Sequence, residues 1–75
     1  MNNTYRLLGE FLRMRRIVLW YSQEDIAKKV RLSRTSVVNI EAGRQRIRLD
    51  QVEDFAKALR CKPIHIAKAI WGIRA

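Results

Sequence analysis

Cysteine, proline and glycine are nearly missing from this 75-residue chain, which holds one, one and three of them respectively. A lone cysteine, Cys61, excludes an internal disulfide and fits a reducing compartment. So few proline and glycine residues leave little room for loops, and the chain shows no linker, repeat or low-complexity tract. No segment alternates apolar and polar residues over the length of a strand, which argues against a sheet. The longest apolar run, Ile17-Val18-Leu19-Trp20-Tyr21, falls far short of the roughly 20 residues a membrane span needs. Met1-Asn2-Asn3-Thr4 carries no signal-peptide pattern. Acidic residues are scarce as well: 7 against 16 lysines and arginines, a formal net charge of +9.

These absences narrow the function. There is no Ser-His-Asp set, no glycine-rich phosphate loop and no paired-carboxylate cleft, so catalysis and cofactors are not expected. His65 has no cysteine or histidine partner at ligand spacing, so no metal site is expected either. The positive charge favours a polyanionic partner, although a merely soluble basic surface is the competing explanation. A chain this short makes one domain, 1–75, and buries only about 60% of its unfolded surface, so partner subunits are welcome.

What is present is helical periodicity. Asn3 or Thr4 is placed to cap a first helix running to about Leu19. Leu8, Phe11, Leu12 and Leu19 form its apolar stripe, interrupted by Arg15 and Arg16. Ser22 is a good N-cap for a second helix, with Glu24 and Asp25 in the first turn, where acidic groups suit the helix dipole. Ile26, Ala27 and Val30 form its buried side. Ser33 is the next N-cap. At 100° per residue, Ser33, Val37 and Ile40 share one side of the third helix, while Arg34, Thr35, Val38, Asn39 and Ala42 share the other. Gly43 supplies the stop. Residues 44–48 form a basic connector. Val52, Phe55, Ala56 and Leu59 mark a fourth helix starting near Asp50. Pro63 opens a fifth with two stripes, Ile66/Ile70/Ile73 and Ile64/Ala67/Trp71. One stripe packs on the domain, and the other is left facing water.

The segments Ser22-Gln23-x-x-Ile26-Ala27, Ser33-x-x-Ser36-Val37-x-x-Ile40-Glu41-x-Gly43 and Phe55-Ala56-Lys57-Ala58-Leu59 together resemble the lambdoid phage repressor and Cro family, also called Xre. The match spans roughly residues 8–70. The resemblance implies an all-α, compact five-helix fold of the lambda-repressor kind, with helices two and three forming the helix-turn-helix. It also implies that the third helix enters the major groove of double-stranded DNA, and that a homodimer binds two half-sites one turn apart. The family's pairing of a first-helix arginine with the glutamate before the glycine falls here on Arg16 and Glu41. The chain departs from the family at Trp20, Arg31 and Arg60, where many relatives carry glycine. Either these residues adopt a left-handed backbone at some cost, or the turns differ.

On that footing, Arg34, Thr35, Val38 and Asn39 are expected to reach bases. Arginine pairs with guanine O6 and N7, asparagine with adenine, and valine or threonine methyls meet thymine. The competing expectations are a phosphate contact for Arg34, backbone reach only for Asn39 and a solvent-facing Val38. Gln23, Ser33, Ser36, Arg44, Arg46 and Arg48 are expected to flank the sugar-phosphate chain, giving affinity and register. Gln23 is also placed to brace the start of the third helix. Ile64, Ala67, Trp71 and Ile73 in helix 63–73 are expected to form the dimer surface. Cys61 occupies a place usually held by a small core aliphatic, so a packed thiol is expected. The implied function is a cytoplasmic, nucleoid-associated regulator of bacterial or phage origin, in the simplest case a repressor. The alternatives on the same fold are a restriction-modification controller and an antitoxin that also holds a toxin.

Overall fold

A computed structural model of the chain describes residues 3–72. They form five helices: α1 (Asn3–Val18), α2 (Gln23–Val30), α3 (Arg34–Glu41), α4 (Leu49–Ala58) and α5 (Pro63–Trp71). Asn3 and Thr4 lie inside α1 and do not cap it, so the helix starts earlier than the sequence pattern suggests. Ser22 and Ser33 do cap α2 and α3: each side chain accepts the backbone N–H three residues on, from Asp25 and Ser36. Asp25 answers Ser22 by accepting its N–H at 2.8 Å, which completes a capping box.

The apolar spacings converge on one core. Leu8 and Leu12 of α1, Ile26, Ala27 and Val30 of α2, Val37 and Ile40 of α3, Phe55 and Ala56 of α4, Leu59 and Ile66 are all buried. Each large member stabilises the fold by about 1.5–3 kcal/mol through burial. α1 packs on α3 and α5, while α2 packs on α3 and α4. Gly9 sets the approach of α1 to α3. A methyl at Gly9 would stand 2.5 Å from the Glu41 carbonyl oxygen, in backbone that cannot yield.

Four helices end in the same way. Trp20, Arg31, Gly43 and Arg60 follow α1, α2, α3 and α4 with φ of 64°, 58°, 76° and 54°. The next N–H then reaches back five residues: Tyr21 to Arg16 O, Leu32 to Ala27 O, Arg44 to Asn39 O and Cys61 to Ala56 O. This is the Schellman closure, which favours glycine. Only α3 uses it; the other three ends hold a side chain in the left-handed region at about 1 kcal/mol or more each. The three turns therefore keep the left-handed closure that glycine favours, and Trp20, Arg31 and Arg60 carry it as backbone strain.

The two arginines that interrupt the α1 stripe both fasten α1 to the rest of the fold. Arg16 donates from Nε and Nη2 to the two oxygens of Glu41 at 2.7 and 3.0 Å, and from Nη1 to the Tyr21 carbonyl at 2.9 Å. Arg15 donates to the carbonyls of Leu59 and Arg60 at 2.9 and 3.0 Å, satisfying the end of α4.

Candidate nucleic-acid interface

α3 presents its polar side because its apolar side is consumed by the core. Val37 is fully buried and Ile40 nearly so, which turns Arg34 and Thr35 out to solvent. Val38, Asn39 and Ser36 are half-buried on the flanks of that face. Ser33, grouped with the inward residues by helical angle, is exposed, because a cap residue lies outside the helix it caps. Its hydroxyl also bonds the Ser36 hydroxyl at 3.1 Å.

Charge and dipole agree at this end of the molecule. The first turn of α3 holds no acidic residue, so the partial positive charge of its N-terminus is left uncompensated beside Arg34. Helix N-termini of this kind attract phosphate. The first turn of α2 is different. The Asp25 carboxyl sits below its ordinary pKa of 3.8, held there first by the Ser22 backbone N–H and hydroxyl and then by Lys28 and Lys29.

Beneath α3 lies a buried polar clamp. The Glu41 side chain is 4% exposed and the Arg16 side chain 12%. Gln23 adds a third donor, from Nε2 to Glu41 Oε1 at 3.1 Å. One carboxylate thus joins α1, the turn after it, the first residue of α2 and the last residue of α3, which fixes the angle between the motif helices. Gln23 therefore braces the end of α3 and not its start, since its amide turns inward to the buried carboxylate.

The connector after α3 is partly organised. Arg44 donates from Nε and Nη2 to Asn39 Oδ1 at 3.3 and 3.1 Å, so the two form one unit. Arg46 is exposed. Arg48 donates to Asp50 at 3.1 Å, and that bond holds the Asp50 carboxyl below its ordinary 3.8. Arg48 is thus drawn toward the N-terminus of α4, where its backbone N–H also donates to Gln51 Oε1 at 2.7 Å.

On α5, which packs against α1 and α4, the predicted dimer residues separate. Ile64 and Trp71 are exposed, Ala67 is half-buried and Ile66 fills the core. Ile73 lies outside the described residues. Leu49, the first residue of α4, is 81% exposed and shares a shallow apolar cleft with Trp71, Ile47, Val52, Ile70 and Tyr5. Sequence reading missed Leu49. The available signal was an isolated leucine outside the buried stripe of its own helix. Cys61 is half-buried against the core, and burial pushes its thiol up from the ordinary 9.0, against a smaller opposing effect of Arg15. His65 accepts the Lys62 N–H at 3.1 Å and so serves the start of α5.

A short helix with an exposed polar face, set at a fixed angle on a second helix by a buried clamp, defines the helix-turn-helix fold of DNA-binding transcriptional regulators. Residues 7–68 match the family described as helix-turn-helix domain, and the chain belongs to it, in agreement with the resemblance to the lambdoid repressor and Cro (Xre) proteins. Among solved structures, the hypothetical transcription factor NHTF from Neisseria is 30% identical, with a TM-score of 0.80 over 85% of this chain and 74% of that one. The restriction-modification controller protein C.AhdI from Aeromonas hydrophila is 29% identical, with a TM-score of 0.79 over 83% of this chain and 94% of that one. The clp gene regulator ClgR from Corynebacterium glutamicum, 20% identical with a TM-score of 0.86 over 100% of this chain and 97% of that one, is alike in fold. No curated protein matches the chain. Among the described residues no helix is long and apolar enough to cross a membrane, and no cluster of His, Cys, Asp or Glu has the makings of a metal site.

Proposed function

We propose that this protein is a sequence-specific regulator of transcription that binds double-stranded DNA as a homodimer on a palindromic operator. The observation that carries it is the outward face of α3, where exposed Arg34 and Thr35 stand at an uncompensated helix N-terminus. Neither side chain makes a hydrogen bond or ion pair with another described residue. Arg34 reads guanine, Thr35 and Val38 meet thymine methyls, and Asn39, oriented by Arg44 and more than a turn further along α3, reads adenine. Ser33, Ser36, Arg44 and Arg46 hold the phosphates. Gln23 contributes through its remaining amide oxygen and backbone, and Arg48 only weakly, because its charge is shared with Asp50.

The dimer is assigned to the apolar surface of Ile64, Ala67 and Trp71, extended by Leu49. A chain this small that leaves a tryptophan 63% exposed beside an 81% exposed leucine has apolar area to bury. Covering a promoter makes such a dimer a repressor. The likeness to C.AhdI favours a controller of a restriction-modification system as the particular role, and a controller can activate as well as repress. Selection of bound duplexes from a random pool tests the proposal. The expected outcome is a symmetric motif with two half-sites about 10 base pairs apart; recovery of no motif rejects it.

A further inference from the structure

We infer that the outer face of α1 is a docking surface for a second protein, one that presents an acidic amphipathic helix. A groove runs between α1 and the turn into α5, floored by Phe11, Met14, Val18 and Cys61. Met14 and Val18, which lie outside the buried stripe of α1, are 57% and 60% exposed. The groove continues past Phe11 and Met14 to Leu7 and Ala69. From Leu7 to Val18 the strip runs about 16 Å, enough for three turns of a partner helix.

The rim is basic. Arg15 lies on the wall, its guanidinium pinned by the carbonyls of Leu59 and Arg60. Beside it stands Arg60, exposed, with a side chain that makes no hydrogen bond or ion pair with any described residue. Arg60 holds its charge there at a backbone φ of 54°, which glycine would adopt without strain. Among the described residues lining the strip the one carboxylate, Glu10, is at the far end and is paired with Arg6 at 2.7 Å. An apolar floor edged by two neighbouring positive charges is complementary to a helix with leucine-like residues on one face and Asp or Glu along its edge.

The groove does not suit the alternatives. Phosphate finds nothing on an apolar floor. A second copy meeting this groove face to face would set its own Arg15 and Arg60 against the same pair, like charge on like charge. The face also points away from α3. Gly9 marks the side of α1 that meets α3, and Val18 lies about half a turn around the helix from it. Docking here and DNA binding by α3 can therefore coexist, and the inference does not depend on the proposed function.

The test uses the full chain labelled at its methionine methyls. The probe is a synthetic 18-residue helical peptide with leucines at i, i+4, i+7 and i+11 flanked by glutamates, and the control carries lysines for the glutamates. The glutamate peptide is expected to shift the Met14 methyl with a Kd on the order of 10⁻⁵ M, and the lysine peptide to bind at least about tenfold more weakly. Met14→Glu, at an exposed site that leaves the fold intact, should weaken the glutamate peptide by about tenfold or more and leave duplex binding unchanged. Arg60→Glu should weaken the same peptide by about tenfold while leaving the helical circular dichroism of the free protein unchanged. The proposal is overturned by an unmoved Met14 methyl, by equal binding of the two peptides, or by self-association that Met14→Glu abolishes, which would assign the face to a second copy. Loss of duplex binding in an Arg34 variant with peptide binding intact would count against the DNA-binding reading alone.

Discussion

Replacing Arg16 with methionine strands a carboxylate inside the protein. The Glu41 side chain is 4% exposed and takes two of its three side-chain hydrogen bonds from Arg16, at 2.7 and 3.0 Å. After the substitution only Gln23 remains, and one amide donor does not compensate a buried negative charge. Breaking such a pair from one side costs about 3–5 kcal/mol. A domain of this size has a total stability of about 4–11 kcal/mol, so Arg16→Met removes about a quarter of it or more. The pair itself is worth far less, because folding must desolvate both ions. Arg16→Met combined with Glu41→Met is therefore expected to be less destabilised than Arg16→Met alone, by at least about 2 kcal/mol. Urea unfolding of the four proteins of this cycle at pH 7 reads the difference directly. An Arg16→Met cost below about 1 kcal/mol, or strict additivity of the two substitutions, would refute the clamp as described.

Three further outcomes follow from the geometry. Arg31→Gly should raise stability by about 1 kcal/mol in urea, because the residue is held at a φ of 58° that glycine adopts without strain; a loss of stability would mean the arginine side chain compensates its backbone. The carboxyls of Asp25 and Asp50 lie below their ordinary 3.8 in the folded chain, so their contribution is present above that value and fades as pH falls through the lower folded values. Asp25→Asn should flatten the acid limb of thermal unfolding below about pH 4, and an unchanged limb would remove Asp25 from the explanation. Trp71→Asp should halve the sedimentation mass while leaving the helical circular dichroism intact; an unchanged mass would move the dimer surface elsewhere.

Much of this fold could be read from the sequence because its signals are local. Ser22 and Ser33 cap helices that are each eight residues long, and the inward spacing of Val37 and Ile40 fixes which way α3 faces. The two-stripe pattern of α5 likewise foretold that Ile66 packs while Ile64 and Trp71 stay out. What escaped is what depends on elements distant in sequence. Arg15 reads as a break in a stripe until the end of α4 arrives beside it. Gly9 reads as a poor helix residue until the backbone of α3 lies against it. Gln23 turns from a surface position to Glu41 because the carboxylate is buried where two helices cross. The pairing of Asn39 with Arg44 needs the left-handed turn at Gly43 to bring the chain back. Trp20, Arg31 and Arg60 show the limit from the other side, since tertiary packing holds the glycine-favouring closure even where the local residue opposes it.

The most direct test of base reading by α3 is to compare Arg34→Ala and Arg46→Ala on a selected operator and on a scrambled duplex of equal length and salt. Arg34→Ala is expected to cut the preference for the operator by roughly 5- to 150-fold, the equivalent of about 1–3 kcal/mol. Arg46→Ala should weaken both duplexes alike and lower the salt slope by about one. Equal losses on both duplexes for Arg34→Ala would show that the exposed face of α3 grips phosphate without reading sequence.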